Sequence, residues 1–239
     1  DGTHVGRVTD FGDVGAGQKK SVHIHRFDAS DEELMKNVLE MIHDGGIAGI
    51  IVNTVKRAQK LAELVPDDVE LMVLHSAFLA PDRVKKEKRL QDEIGKRGNR
   101  PQRMIVIGTQ VLEQSLDIDF DILYTDIAPM DLILQRIGRL HRHGIRRPEK
   151  LTEPQTYVMG INEFGDYGDA NEGIYGRYLL MKTDYYLKDR IDIPKDISSL
   201  VQKVYREDDD LCDEELEKAR NEFQDRKEKA IRKASAFQI

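Results

Sequence analysis

The sequence predicts an α/β protein, a parallel sheet with helices on both faces followed by a helical C-terminal extension. Three observations predict it. Short apolar runs alternate with helix-length amphipathic stretches between Ser21 and Met159, the pattern of a parallel sheet covered on both sides. Polar residues able to do chemistry gather directly after those runs, where ligands sit in such sheets. From Asn171 the alternation stops and helical patterning takes over.

Each element has a local reason. Ser21–Phe27 alternates Val22 and Ile24 with His23 and His25 and reads as a strand. Ser30 with Glu33 forms a capping-box signature; Leu34, Val38, Leu39, Met41 and Ile42 give a helical stripe, closed by Gly45-Gly46. Ile47–Asn53 is a buried-type strand, Thr54–Leu64 a helix and Val69–Leu74 a strand. Pro81 can open a helix running to Ile94. Arg103–Thr109 and Asp121–Asp126 are strands, Asp131–Leu140 a short helix and Gln155–Met159 the last strand. Ile174–Leu187 is helical and rich in Tyr, Ile193-Pro194 breaks it, and Ile197–Tyr205 resumes. Glu207–Asp210 is a charge run. The final stretch carries acid-before-base pairs such as Glu214/Lys218 and Glu228/Arg232 at i,i+4, as a solvent-bathed helix or appendage does.

Composition narrows the function classes. Of 239 residues 39% are apolar, enough for a core, and 34% are charged, with a net charge of −7. One cysteine, Cys212, supports neither an internal disulfide nor a thiolate zinc cluster. The longest apolar run, Ile47–Val52, falls far short of the ~18–20 residues of a membrane span. A soluble, cytoplasmic protein without a membrane partner is expected. The opening Asp-Gly-Thr-His, without Met or a secretory apolar region, predicts a piece of a longer protein. Residues 151–239 hold 14 basic and 20 acidic side chains, against 23 and 24 in the first 150. Residues 83–103 nevertheless carry nine basic side chains, among them Arg97 and Arg100, against Glu87, Asp92 and Glu93. Such a stretch can meet a polyanion, although a solvated helix face accounts for most of it.

Three clusters follow strands. Asn53-Thr54, with Lys56-Arg57, offers small polar groups and helix N-terminal amides to a phosphate. Gly108-Thr109-Gln110 opens a stretch through Glu113, Asp117 and Asp119 that supplies hydroxyl, amide and carboxylate groups. In Gln135-Arg136-Ile-Gly138-Arg139-Leu-His141-Arg142-His143, helical spacing predicts a row of guanidinium groups from Arg136, Arg139 and Arg142, suited to phosphate oxygens. His141 and His143 diverge at i,i+2 on a helix, so no metal site is expected there. Gly12 to Ser21 nearly matches a phosphate-cradling loop, but Gln18 stands where its Lys belongs and the strand follows rather than precedes it.

Gly108-Thr-Gln and Gln135-Arg-x-Gly-Arg-x-x-Arg142 resemble motifs V and VI of the second RecA-like lobe of superfamily 2 helicases. More narrowly, Leu74-His75-Ser76, the stretch from Gly108 to Asp121 and Arg139-Leu-His-Arg-His143 resemble the helicase-nuclease of type I CRISPR–Cas systems. The likeness runs from about residue 20 to 206, since Ile174-Tyr-Gly to Ile193-Pro and Leu200 to Tyr205 resemble that family's segment after the lobe. It implies a second RecA-like lobe over 22–165 and a helical linker over 166–206; the Gly-rich start and the charge pattern add an irregular lead-in over 1–21 and a charged C-terminal helix over 207–239.

The resemblance also implies roles. Arg139 and Arg142 match the arginines that reach the ATP γ-phosphate across the lobe cleft, where a guanidinium acts on the charge of the transition state. Gln135 and Arg136 match the positions that set that motif at the nucleotide and couple it to the facing lobe. Asp117 matches a carboxylate near the ATP ribose. Asn53, Thr54, His75, Ser76, Thr109 and Gln110 match positions holding the DNA backbone through neutral groups that do not read sequence. ATP and Mg²⁺ would be bound mainly by a first RecA-like lobe in the same parent chain, and the nuclease metal by a His-Asp domain. The implied partners are single-stranded DNA and a CRISPR RNA-guided surveillance complex. The chain alone is expected to be inactive, half of a motor. Another superfamily 2 translocase would share the arginines but not the long motif V or Leu-His-Arg-His; a non-enzymatic RecA-like binding module would lack a P-loop upstream. A dinucleotide-binding enzyme is disfavoured, because no G-x-G-x-x-G follows the first strand.

Overall fold

The structure, a computed structural model, describes residues 19–113, 116–206 and 214–236, without the side chains of 230 and 233–236. The near-match to a phosphate loop before Lys19, Gln114-Ser115 of motif V, the charge run and Cys212 lie outside the described residues. Seven strands form one sheet: β1 (Lys20–Phe27), β2 (Gly46–Ile51), β3 (Glu70–Leu74), β4 (Arg103–Gly108), β5 (Ile122–Asp126), β6 (Gln155–Met159) and β7 (Arg190–Ile193). Their order is β3-β4-β2-β5-β6-β1-β7. β1 to β6 pair in parallel, and β7 is antiparallel to β1 at the edge.

The apolar run of β2 shows why both faces must be covered. Ile47 and Ile51 point into one core, with Val106, Leu123, Met130, Ile133 and Leu90; Ala48, Ile50 and Val52 point into the other, with Leu34, Val38, Ala58 and Leu61. This is the period of two of a pleated strand. Helices α1 (Asp31–Met41) and α2 (Val55–Glu63) seal the second face; α3 (Ala80–Ile94) and α4 (Met130–Ile137) seal the first. Ser30 and Glu33 make both bonds of the expected capping box, and Thr54 caps α2 by accepting the Arg57 N–H at 3.2 Å.

Four expectations need correction. The helix expected over Asp131–Leu140 ends at Ile137, and His141 takes a left-handed backbone with φ +46°. Arg139 and Arg142 therefore lie beyond the helix and form no helical row with Arg136. The stretch expected as one helix over Ile174–Leu187 is two, α5 (Asp169–Tyr175) and α6 (Arg177–Tyr186), separated at Gly176, whose φ of +84° no continuing helix allows. Gln155–Met159 is not the last strand: the segment expected as a purely helical linker returns as β7 before α7 (Ile197–Tyr205). Arg190 and Asp192 alternate with Ile191 and Ile193 over only four residues, too short a pattern to stand out. The final helix, α8 (Glu214–Ala236), is not wholly solvent-bathed, for Leu216 and Ala219 are buried and Phe223 packs by Tyr178.

Candidate functional site

The residues singled out from sequence divide between the two ends of the strands. At the carboxyl ends, Asn53 after β2 and Arg136 on α4 form the centre of a buried network. Arg136 is fully buried: its Nε donates to Glu113 Oε1 at 2.8 Å, one terminal nitrogen to Thr125 Oγ1 and Asp126 O, and the other to Asn53 Oδ1 at 3.0 Å. Side chains on a helix lean toward its N-terminus, so Arg136, near the end of α4, reaches back to the carboxyl end of β5. Asn53 donates from Nδ2 to Ile127 O and Asn171 Oδ1, both at 2.8 Å, and its N–H binds Asp126. Both amide hydrogens and the Oδ1 acceptor are engaged inside the protein, so in this arrangement Asn53, expected to hold DNA, braces the site. Burial pushes the Asp126 carboxyl up, against the pull of Arg57 and the Asn53 N–H. Arg57 also pairs with Asp31.

Around this centre the remaining candidates differ. Thr109 is 1% exposed; its N–H binds Leu74 O at 3.1 Å, and its hydroxyl is buried without a hydrogen-bond partner. Gln110 is half-buried, with Nε2 at 3.3 Å from Asn53 O. Thr54 is occupied as the α2 cap. His75 stacks on Phe78 at 4.2 Å and 10°, with Lys86 over the Phe78 ring, and burial together with Lys86 holds its imidazole below the usual range. Ser76 is exposed beside it.

A second cluster stands at the amino ends, where the chain leaves motif V and enters β5. Asp119 and Asp121 are buried and both pair with Arg147; Asp119 accepts two bonds from it at 2.8 and 2.9 Å. Asp119 also accepts the Arg142 N–H at 2.9 Å, and Asp121 pairs with Arg100 at 2.8 Å. On this base Arg142, 19% exposed, donates from Nε to Asp117 at 2.9 Å; Asp117 is 47% exposed and also meets His143 at 3.0 Å. Arg139 is buried and grips the motif V backbone at Leu116 O, 2.7 Å, and Glu113 O, 3.3 Å. Lys20, from β1, donates to Ile137 O at 2.9 Å and to Leu140 O, closing the end of α4; burial lowers its ammonium to about 8. Gln135 is half-buried on α4. His141 binds Asp121 O, away from His143. Among the described residues no three His, Cys, Asp or Glu side chains converge as a metal site requires.

Known proteins are similar to this chain in sequence and in fold. The family described as CRISPR-associated nuclease/helicase Cas3, C-terminal, matches residues 44–145. The chain is 52% identical over 194 residues to the CRISPR-associated nuclease/helicase Cas3 of Streptococcus thermophilus, a match covering 80% of this chain and 21% of that protein. The crystal structure of T. fusca Cas3 with ATP is similar at TM-score 0.76 and 31% identity, over 87% of this chain and 26% of that one. In sequence and fold this is a Cas3-type second RecA-like lobe. A further structural neighbour, described as a CRISPR RNA-guided surveillance complex, pre-nicking, gives TM-score 0.71 at 29% identity, over 89% of this chain and 27% of that one. The chain thus spans a fifth to a quarter of the Cas3 proteins it matches.

Several residues of the two clusters carried no separate signal in the sequence. Lys20 and Arg147 join motif VI only through the sheet and a return loop, and Asn171 and Tyr175 enter from α5. Arg100 sat in the basic run as a candidate polyanion contact; the structure places it against Asp119 O and Asp121 instead. In the same run Arg83 and Arg89 pair with Glu87 and Glu93, while Lys85, Lys88, Lys96 and Arg97 are exposed.

Proposed function

We propose that this lobe is the second motor half of an ATP-dependent single-strand DNA translocase or helicase serving type I CRISPR interference. The observation that carries the reading is the Arg142–Asp117 pair. The backbone N–H of Arg142 is anchored on a buried ionic base, Asp119 with Arg147, while the carboxylate partner of its guanidinium is about half exposed. An exposed ion pair is weak, on the order of 0–1 kcal/mol, so an incoming phosphate can replace Asp117 on Arg142 at little cost. The planar fork then faces the γ-phosphate, where phosphoryl transfer is catalysed by positioning and charge stabilisation. Arg139, bonded to the motif V backbone, fixes the loop that carries Asp117 and holds the geometry behind the finger. Mg²⁺, bound with ATP by a facing first lobe, supplies charge neutralisation at the phosphates.

At the opposite end of the strands exposed Ser76 and half-buried Gln110 offer a track of neutral groups suited to backbone phosphates without base readout, with the buried Thr109 hydroxyl next to Gln110 in the chain reaching a phosphate only if the loop opens around it. The carboxyl-end network through Asn53 and Arg136 keeps that track in register with α4. In the whole parent, recruitment to an RNA-guided surveillance complex and a nuclease in a separate metal domain complete the reading.

The test is turnover by the full-length parent. Arg142→Ala is expected to retain ATP binding and lose turnover by about 10³ or more, the scale of a missing arginine finger. Arg142→Lys is expected to rescue poorly, because an ammonium lacks the fork. Turnover by Arg142→Ala equal to the parent's would return Arg142 to a structural role and overturn the reading.

A further inference from the structure

The tyrosine-rich stretch after β6 has no part in the function proposed above, yet one of its hydroxyls lies inside the carboxyl-end network. Tyr175 Oη is 3.4 Å from Gln110 Nε2, 3.3 Å from an Arg136 terminal nitrogen and 3.3 Å from Asn53 Oδ1. A phenol has one proton to donate and lone pairs to accept. The arrangement admits one assignment: the hydroxyl donates to Asn53 Oδ1 and accepts from Gln110 and Arg136. One turn earlier on the same face of α5, Asn171 Oδ1 accepts from Asn53 Nδ2 at 2.8 Å and Asn171 Nδ2 donates to Tyr167 O.

The helix that carries both residues is set off from its neighbours. α5 is bounded by Gly168 and Gly176, with φ of +76° and +84°. Left-handed glycines at both ends let α5 take an angle that is independent of α6. Its polar links to the network run through Asn171 and Tyr175. A half-buried hydroxyl at the meeting point of motif V, motif VI and the end of β2 is placed to sense a shift in any of them.

We propose that Tyr175 is a positioning residue of the motor, whose hydroxyl ties Gln110 on the DNA side to Arg136 on the nucleotide-side helix. The segment after the lobe then transmits DNA engagement to α4 and onward to Arg142. This rests on the motor reading above. The three bonds are long, so each is weak alone, and the effect lies in their shared atom.

The experiment uses the full-length parent with an oligo-dT single strand, comparing Tyr175→Phe, Tyr175→Leu, Gln110→Ala, the Tyr175→Phe/Gln110→Ala pair and Arg142→Ala. Tyr175→Phe keeps the ring and removes only the hydroxyl. It is expected to lower DNA-stimulated kcat about fivefold to tenfold, the scale of one hydrogen bond, with the KM for ATP unchanged. The double variant is expected to lose no more than Gln110→Ala alone, since both act through one atom. Wild-type kcat in Tyr175→Phe with a loss only in Tyr175→Leu would reduce Tyr175 to ring packing and overturn the proposal. Additive losses, or an effect on KM alone, would overturn it as well. Full turnover by Arg142→Ala in the same series identifies a failure of the motor reading itself, whereas loss there with wild-type Tyr175→Phe identifies a failure of this inference only.

Discussion

Thr109 follows β4 with its N–H on Leu74 O and a buried hydroxyl that has no hydrogen-bond partner. An unsatisfied buried hydroxyl costs about 1–3 kcal/mol, and valine has nearly the same shape. Thr109→Val is therefore expected to raise the melting temperature by about 2–4 °C, the shift for ~1 kcal/mol in a chain of this size. In the parent it is expected to weaken stimulation of ATP turnover by single-stranded DNA. Calorimetry and stimulated turnover check the two halves; unchanged stimulation removes Thr109 from the DNA track. The three arginines of motif VI, alike in the sequence, separate in the same way. Arg136→Ala leaves the Glu113 carboxylate unpaired in the interior and removes one of the donors to Asn53, and is expected to cost about 3–5 kcal/mol in a urea melt. Arg142→Ala loses a half-exposed partner and is expected to cost under about 1 kcal/mol. Equal costs would show that Arg142 is structural too.

The turn after α4 carries the proposed finger, and its own stability has a pH signature. Burial, followed by the Arg147 charge, holds the His141 imidazole down at about 4, from an ordinary value of 6.5. A group whose pKa is depressed by folding takes up its proton more readily in the unfolded chain. The stability it confers is whole above pH 6.5 and drains away as pH falls toward 4. His141→Asn suits the left-handed backbone at this position, since asparagine tolerates positive φ. Urea melts between pH 6.5 and 5 are expected to show a decline in the wild type that is reduced in His141→Asn. Parallel pH profiles would mean that other groups carry the acid sensitivity. Gly108 marks the neighbouring element: a Cβ there would lie 2.5 Å from Leu74 O, a backbone atom that cannot move aside while β3 and β4 stay paired.

Across the whole molecule, the proposed finger and the proposed track stand at opposite ends of the parallel strands. β5, with five residues, spans about 17 Å between them. α4 runs back along that distance, from the carboxyl end of β5 to the Phe120–Leu140 bridge at its amino end. In the proposed reading, Arg142 has a γ-phosphate to act on only when another lobe presents one. The isolated chain is accordingly expected to hydrolyse ATP at the background rate with or without single-stranded DNA, measured by phosphate release. Steady DNA-stimulated release by the isolated chain would contradict the half-motor arrangement. Among the described residues no helix is long and apolar enough to cross a membrane.

What the sequence determined by itself is what local forces determine. Ser30 with Glu33, the two-residue period of Ile47–Val52 and Pro81 in the first turn of α3 act over a few residues, and the strands and caps stand where those patterns place them. The motif V and VI residues were legible as a family resemblance in the same short stretches. Tertiary structure alone decided which of them face outward. Lys20 closes α4 from 117 residues away in the chain, Arg147 neutralises Asp119 and Asp121 from a return loop, and β7 finds β1 across the whole lobe. Helical spacing aligned Arg136, Arg139 and Arg142, but the helix stops at Ile137 and each guanidinium goes to a different partner. A buried charge is stable only where its partners converge, and that convergence is set by strand order and packing, which no local pattern encodes.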